Sequence, residues 1–468
     1  MDSSAIAQFS QKIWNDSIVP ALTDYIRIPA KSPMFDPDWE ENGHIERAVD
    51  LVEQWCRENG PAEMKIEVVR LPGRTPVILM EIEGDGEGTV LLYGHLDKQP
   101  EMSGWRDGFG PWDPILEEGR LYGRGGADDG YSAFAAVTAL RALREHGGRH
   151  ARAVVLIEAS EESGSPDLPA YLDHLDDRIG AVDLVVCLDS GCGDYERLWG
   201  TTSLRGMAAG TLRVGVLRDG VHSGDAGGVV PSSFRILRHL LSRVECSETG
   251  RVTVMACHSE IPEQRREQAD AAAVVLGETV HARFPWSANT VPHTDDVAQL
   301  ILARTWAPAL EITGMDGIPA IENAGNVLRP ITEAKLSFRL PPTADPIAAT
   351  AAITEVLTAD PPQGASVEFD PESPAGGWNA PPLATWLGDA VEKASQEAWG
   401  KPAAWMGEGG TIPFMAMLGQ KFPEAQFLIT GVLGPEANAH GPNEFLHVPF
   451  ATRLTGAVAR VLHEHASR

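Results

Sequence analysis

The chain has 468 residues, 43% of them hydrophobic, and a formal net charge of −28, so we expect two globular domains and no nucleic-acid partner, because phosphate binding requires clustered Lys and Arg. Five cysteines without a C-x-x-C pair argue against a disulfide framework and against a thiolate zinc site. The amino terminus lacks the pattern of a secretion signal and no apolar run has the length of a membrane span, so we expect a cytoplasmic protein without a membrane partner.

The first part of the chain alternates between strand and helix patterns. Amphipathic spacing predicts helices at about residues 5–27 and 44–58, and β-rich runs bounded by Gly and Pro follow at KIEVVR, PVILMEIEG and GTVLLYGH. A helix is predicted over GYSAFAAVTALRALREHGG, and the apolar runs AVVLIEA and VDLVVCL are typical of strands buried on both faces. This alternation indicates a doubly wound α/β sheet.

From about residue 206 the pattern changes to that of a separate α+β unit. It contains GTLRVGVL, a helix near residues 232–244 and AKLSFRL, and it ends at the Pro- and Gly-rich DPESPAGGWNAPP, which is typical of a domain crossing. A helix near residues 382–399 and a strand at 426–431 follow. We therefore predict an α/β catalytic domain with a mixed sheet and helices on both faces (1–205 and 380–468), interrupted by a smaller inserted α+β domain (206–379).

Polar residues follow three of the predicted strands. Because ligands bind beyond the carboxyl ends of parallel strands, these residues are expected to converge on one site. His, Asp and Glu without Cys suit divalent zinc, manganese or cobalt. Taken singly, an Asp-Asp pair before a helix favours an N-cap and a Glu-Glu pair favours a solvated surface; their order after buried strands favours a metal site. The residues are His95 and Asp97, Glu161 and Glu162, and Asp189, with Asp128 and Asp129 in a fourth, Gly-rich cluster.

The order GHLDKQP, GRGGADDG, EASEESGS, CLDSG and NAHGPNE resembles the M20 family of metallopeptidases, and within it the carnosinase-like dipeptidases. The resemblance extends from about residue 93 to residue 446. It implies two divalent ions per subunit, with zinc expected and manganese or cobalt as alternatives. It further implies the following roles: His95 and Asp189 hold one ion, Glu162 and His440 hold the other, Asp128 bridges both, Asp97 orients His95, and Glu161 is the general base.

The resemblance also implies that the inserted domain is a lid and dimerisation domain. His222, in GVHSGDAGG, would donate to the developing oxyanion from the partner subunit of a homodimer; taken alone, this stretch favours a simple turn cap beside Gly224. Arg339, in LSFRLPP, matches the residue that clamps the substrate carboxylate, and Asn326, in GNVLRP, fits another lid motif.

GEGGTIPF resembles the family loop that holds substrate near the metals, here through Gly410 and Thr411. Glu408 matches the acid that pairs with a free substrate amine, so the resemblance implies a small peptide substrate, a dipeptide with both ends free. One departure is Gly130-Tyr131, where the family has a Lys. The alternatives left open are an N-acyl-amino-acid deacylase or desuccinylase with the same metals, a dinuclear phosphoesterase, and a binding protein that has lost catalysis.

Overall fold

The computed structural model describes residues 1–468, the side chain of Pro413 excepted. In chain order the helices are α1 (Ser3–Ile13), α2 (Val19–Ile26), α3 (Trp39–Asn42), α4 (His44–Asn59), α5 (Ser132–Glu145), α6 (Leu168–His174), α7 (Asp176–Ile179), α8 (Ser223–Ala226), α9 (Ser233–Val244), α10 (Glu263–Leu276), α11 (Thr279–Ala282), α12 (Val297–Thr305), α13 (Pro346–Thr358), α14 (Thr385–Trp399), α15 (Pro413–Lys421) and α16 (Val448–His465).

The strands in chain order are β1 (Lys65–Val69), β2 (Val77–Ile82), β3 (Gly86–His95), β4 (Ile115–Glu117), β5 (Arg120–Tyr122), β6 (Ala151–Glu158), β7 (Leu184–Cys187), β8 (Trp199–Leu204), β9 (Gly206–Gly215), β10 (Val221–His222), β11 (Ala309–Asp316), β12 (Val327–Leu328), β13 (Ile331–Leu340), β14 (Ser366–Pro371), β15 (Trp378–Asn379), β16 (Ala404–Glu408), β17 (Gln426–Ile429) and β18 (Phe445–His447).

The central sheet has six strands in the order β1-β2-β6-β3-β7-β17. β3 is parallel to β6 and β7, and β7 is parallel to β17, whereas β1 and β2 run antiparallel at one edge. The predicted mixed sheet is therefore confirmed. Because the four parallel strands point the same way, their carboxyl ends meet at one edge of the sheet.

Helices cover both faces of this sheet, as predicted. In β3, Val90 and Leu92 pack into a core formed with α4, α5 and α16, while Leu91 and Tyr93 pack into a second core formed with α6 and α15. Successive side chains of a strand point to opposite faces, so a strand covered on both sides must be apolar throughout. This explains why LLY and its neighbours show no polar alternation.

A second, antiparallel sheet has the order β11-β13-β9-β14. Ile236, Leu237 and Leu240 of α9 and Ile353 of α13 fill one apolar core with it. Ser232 starts α9 by accepting a hydrogen bond from the Arg235 amide, which is the usual role of a serine N-cap.

Two helices within residues 206–379, α10 and α12, pack away from this second sheet. α10 and α12 lie against β16, and Ala269, Ala272 and Ile301 belong to the larger core of the central sheet. The domain boundaries at residues 205 and 379 stay a prediction. Within the described residues, none of the helices combines the length and the apolar character needed to span a bilayer.

Gly94 is required by the contact between β3 and the start of α5. A β-carbon at Gly94 would lie 2.1 Å from Ser132 Oγ and 2.6 Å from Asp129 Oδ2. We expect Gly94→Ala to lower the free energy of unfolding by about 1–3 kcal/mol, the usual cost of overpacking a buried site, as measured by urea unfolding.

Gly456→Ala, in the interior of α16, is the matched control. No atom outside the helix's own backbone lies within 4 Å of the added carbon, so this change should stabilise the protein by about 0.5–1 kcal/mol. Equal effects of the two substitutions would contradict the packing account.

Candidate metal centre

The predicted polar clusters meet at the carboxyl edge of the central sheet. His95 is the last residue of β3, Asp189 lies two residues after β7, and Glu161 and Glu162 lie in the turn that follows β6. β3 is hydrogen-bonded to both other strands, so the three segments end side by side. His440 reaches the same place from the loop before β18.

Asp128 lies between two groups of side chains and directs one oxygen toward each. Its Oδ1 is 3.5 Å from Nε2 of His95, and its Oδ2 is 2.9 Å from Nε2 of His440. Asp189 completes the first group, with Oδ2 at 3.8 Å from His95 Nε2, and Glu162 completes the second, with Oε2 at 3.4 Å from His440 Nε2. In each group of three, the possible ligand atoms lie within 4.8 Å of one another.

The surroundings of the His95 ring fit a bound metal ion. Its Nε2 atom is buried and has no hydrogen-bond partner, although an unpaired buried polar atom is costly. The nitrogen is surrounded by carboxylate oxygens at distances too long for hydrogen bonds. A divalent cation held by this nitrogen and by oxygens of Asp128 and Asp189 would satisfy both, and imidazole with carboxylate is a donor set that suits zinc.

The charges of the cluster also favour a cation. Burial raises the pKa of Glu162 to about 8 and that of Asp189 to about 7, and the negative charge of Asp128 adds to both shifts. Burial also acts on Asp128, but His440 and His95 outweigh it and hold the pKa of that carboxyl well below its usual range. The acids therefore do not all ionise at neutral pH unless more positive charge is present.

Asp97 holds the turn that carries the two glutamates. Its Oδ1 accepts a hydrogen bond from the Glu161 amide at 3.1 Å, and its Oδ2 accepts one from the Glu162 amide at 3.0 Å. Nδ1 of His95 lies 3.1 Å from the Asp97 carbonyl oxygen and 3.5 Å from its carboxylate. Gln99, which was not among the predicted site residues, donates to Glu162 Oε2 at 2.6 Å.

Asp129 and Tyr131 hold the backbone at two predicted ligands, His95 and Asp189. The Asp129 carboxylate accepts a hydrogen bond from the His95 amide at 3.2 Å. Tyr131 is fully buried, and its hydroxyl donates to the Leu188 carbonyl at 2.6 Å, immediately before Asp189. Tyr131 follows Gly130, the position that departs from the family pattern. Its hydrogen bond holds the backbone immediately before Asp189, a predicted ligand.

A buried ion pair joins the segments that carry Asp128 and His440. The Arg124 guanidinium donates to the Glu444 carboxylate and, at 2.9 Å, to the Gly441 carbonyl, and Glu444 also accepts from the Gly125 amide at 2.9 Å. Both charged side chains are 1% exposed or less. Arg124 lies inside the motif GRGGADDG and Glu444 inside NAHGPNE. Their place in these motifs was the one feature of the sequence that pointed to them.

The loop after β16 links the centre to the second sheet. Oε1 of Glu408 accepts from the Gly191 amide at 2.7 Å and from the Ser190 hydroxyl at 3.3 Å, just after Asp189. Arg339 Nη1 donates to the Thr411 hydroxyl at 3.1 Å, and the exposed Gly410 accepts from the Arg205 amide at 3.0 Å. Glu408, Gly410, Thr411 and Arg339 are thus brought together, and Glu408 has a second role that its sequence did not indicate.

His222 ends β10 and Asn326 directly precedes β12, and these two strands form an exposed ribbon. Nδ1 of His222 accepts from the Gly224 amide at 3.2 Å, and the Asn326 carbonyl accepts from the Ser223 amide at 2.9 Å. The hydrogen bond of the His222 ring is thus local, and it caps the turn at Gly224. It does not join the ring to the metal-centre residues of its own chain.

Comparison with known proteins gives the family. The model of peptidase family M20/M25/M40 matches residues 91–464. The cysteinylglycine-S-conjugate dipeptidase of Corynebacterium striatum is 31% identical over 413 residues, which cover 83% of this chain and 86% of the relative. The chain therefore belongs to peptidase family M20/M25/M40 and is a metallopeptidase, as its motif order predicts.

A further relative and two solved structures are also similar to this chain. The Beta-Ala-His dipeptidase of Homo sapiens is 30% identical over 275 residues, covering 57% of this chain and 53% of that protein. The structure of the dipeptidase Dug1p from Saccharomyces cerevisiae superposes with a TM-score of 0.80 at 21% identity, covering 100% of this chain and 99% of the other. Human carnosine dipeptidase 1 superposes with a TM-score of 0.77 at 22% identity and full coverage of both chains. These structures establish the likeness of the fold.

We expect Glu444→Ala to lower the free energy of unfolding by about 3–5 kcal/mol, because it leaves the Arg124 guanidinium buried without its counter-ion. Urea unfolding of the metal-loaded protein measures this loss. The matched control is Glu397→Ala, whose partner Arg460 keeps Glu464, so the loss should be about 1 kcal/mol or less. Equal losses in the two variants would contradict the special role of the Arg124–Glu444 pair.

Proposed function

We propose that this metallopeptidase hydrolyses dipeptides with a free amino and a free carboxyl end, using two divalent metal ions, with zinc as the expected metal and manganese or cobalt as alternatives. The observation that carries the two-ion proposal is the geometry of Asp128, whose two oxygens face different histidines. His95 and Asp189 would hold one ion, Glu162 and His440 the other, with Asp128 shared. When bound, such a pair supplies Lewis acidity to the scissile carbonyl and to an attacking water.

Glu161 is the proposed proton carrier. Its Oε2 is 4.0 Å from His95 Nε2, so the carboxylate lies beside the proposed ligands without belonging to either group of three. From there it can take a proton from the attacking water and pass it to the leaving amine. Asp97 fixes this position, because it holds the amides of both Glu161 and Glu162.

The two ends of the substrate are assigned to side chains at the end of β16 and in the loop that follows it. Arg339 and Thr411, which touch each other, would hold the substrate carboxylate, since a guanidinium can grip a carboxylate with two hydrogen bonds. Among the recorded bonds of the described side chains, Glu408 uses Oε1 alone. Its Oε2 is therefore proposed to face the substrate amine.

The names of the relatives support a dipeptide substrate. The matched proteins include a cysteinylglycine-S-conjugate dipeptidase, Beta-Ala-His dipeptidases and a Cys-Gly metallodipeptidase of Saccharomyces cerevisiae. The second candidate, deacylation of N-acyl amino acids, requires a substrate without a free amine and would leave Glu408 Oε2 unpaired. Discrimination against such substrates follows from the cost of an unpaired charge.

A substrate panel with the metal-reconstituted enzyme tests this function. Ala-Ala and β-Ala-His should be cleaved, whereas N-acetyl and N-succinyl amino acids and p-nitrophenyl phosphate should not. Glu161→Gln should lower kcat by about 10²–10⁴-fold with both ions still bound by elemental analysis. Faster cleavage of N-acyl amino acids than of any dipeptide would favour the deacylase instead, and full activity of Glu161→Gln would refute its role.

We further propose that the enzyme is a homodimer in which His222 completes the active site of the partner subunit. The exposure of His222 and its lack of recorded bonds to the metal-centre residues of its own chain support this assignment. Asn326, which directly precedes the adjacent strand β12, is proposed to accompany it to the substrate. A cytoplasmic location is supported by five cysteines that are all free thiols in the structure.

Subunit mixing tests the sharing of sites. His222→Ala and Glu161→Gln should each be inactive alone, but their mixture should recover roughly a quarter of the wild-type activity, because half of the dimers are mixed and each has one intact site. Native mass spectrometry confirms that subunits exchange. Glu161→Gln mixed with the double variant is the control. An exchanged mixture without recovered activity would show that His222 does not act across the interface.

A further inference from the structure

Three arginines beside the loop after β16 form no ion pair, although Glu408 lies near enough to Arg304 to oppose the lowering of its pKa by burial. The chain has 66 acidic side chains, and most of its arginines on other surfaces form ion pairs. Among the ion pairs of the described side chains, however, none includes Arg205, Arg304 or Arg339. Guanidinium groups that gather at one place in so acidic a protein without forming ion pairs favour a site for an anion.

Arg205 and Arg304 flank Gly409 from two sides. A β-carbon at Gly409 would lie 3.2 Å from Nη2 of Arg205 and 3.2 Å from Cγ of Arg304. Arg205 is nine-tenths buried, and its Nε donates to the Gly409 carbonyl at 3.1 Å. Gly409 therefore lets two cationic side chains approach the same stretch of backbone, one residue from Glu408 and two from Thr411.

Arg304 is the least satisfied of the three. Its Nε is buried without a hydrogen-bond partner, and its Nη2 contacts the sulfur of Met406 at 3.3 Å, which is a weak acceptor. Burial and repulsion from Arg283 lower the pKa of Arg304 to about 10 against the opposing charge of Glu408, and the pKa of Arg205 is lowered to about 10 by burial and by repulsion from Arg339 and Arg304. A guanidinium normally offers five donors, so Arg304 has donors left for a ligand.

We propose that Arg304, flanked by Arg205, forms a second anion subsite beside Gly409, which binds a side-chain carboxylate on the carboxyl-terminal residue of the dipeptide. This inference rests on the proposed dipeptidase function and adds a substrate class to it: dipeptides that end in Glu or Asp. The subsite is separate from Arg339, which is assigned to the α-carboxylate.

The carboxyl-terminal residue is favoured because the two cationic positions are adjacent. Arg205 is close enough to be repelled by both Arg339 and Arg304, and Arg339 contacts Thr411, two residues after Gly409. The α-carboxylate and the side-chain carboxylate of one Glu or Asp are separated by only a few bonds. One acidic residue can therefore reach Arg339 and Arg304 together.

The test compares Ala-Glu with the uncharged, isosteric Ala-Gln, using the metal-loaded enzyme. Wild type should show a kcat/KM about 10- to 100-fold higher for Ala-Glu, the discrimination typical of a charged hydrogen bond. Arg304→Met should remove this preference by raising KM for Ala-Glu while leaving Ala-Gln within about 2-fold. Arg304→Lys keeps the charge but cannot donate two parallel hydrogen bonds to one carboxylate. Its preference for Ala-Glu should therefore lie between those of wild type and Arg304→Met.

Arg266→Met is the matched control, since it removes the same charge from an exposed position on α10 and should change neither substrate. Equal turnover of Ala-Glu and Ala-Gln by wild type would refute the subsite while leaving the dipeptidase function intact. An equal loss on both substrates in Arg304→Met would refute it as well. Preference for Glu-Ala over Ala-Glu would overturn the assignment to the carboxyl-terminal residue. Failure to cleave any dipeptide would instead refute the proposed function.

Discussion

Carboxylates gathered away from water must be compensated by cations or by hydrogen-bond donors, and this constraint governs the structure around the central sheet. Asp97, Asp128, Asp129 and Asp189 are all buried at one edge of it. Backbone amides bind both oxygens of Asp97 and one oxygen of Asp129, and an arginine compensates Glu444. Asp128, Asp189 and Glu162 are left facing two histidines, which is the arrangement that divalent ions require.

The sequence predicted the catalytic sheet and the meeting of its polar clusters because both follow from local rules. Strands must be apolar where both of their faces are buried, as residues 90–93 of β3, residues 153–157 of β6 and all of β7 are. Residues that directly follow parallel strands must emerge at one edge. His95, Glu162 and Asp189 obey this rule, so their proximity could be predicted without knowing any long-range contact. The predicted α/β class is confirmed for the same reason.

Other features depend on contacts that the sequence does not reveal. α10 buries Arg265, Ala269 and Ala272 and leaves Val274 88% exposed, so it lacks the apolar stripe that marks a core-facing helix. Arg124 and Glu444 are 320 residues apart, and nothing local identifies them as partners. The sequence likewise could not show that Glu408 holds the turn after Asp189, or that Arg304 forms no ion pair, because both depend on which segments become neighbours.

The discontinuity of the metal centre has a consequence for the lifetime of the protein. An ion held by Asp128, Glu162 and His440 joins the amino-terminal and carboxyl-terminal parts of the catalytic chain on either side of the second sheet. Binding of such an ion to the folded state alone adds a stabilisation that grows with the logarithm of the free ion concentration. The availability of metal would then set how often these segments separate, and so how readily proteases reach them, apart from any effect on turnover.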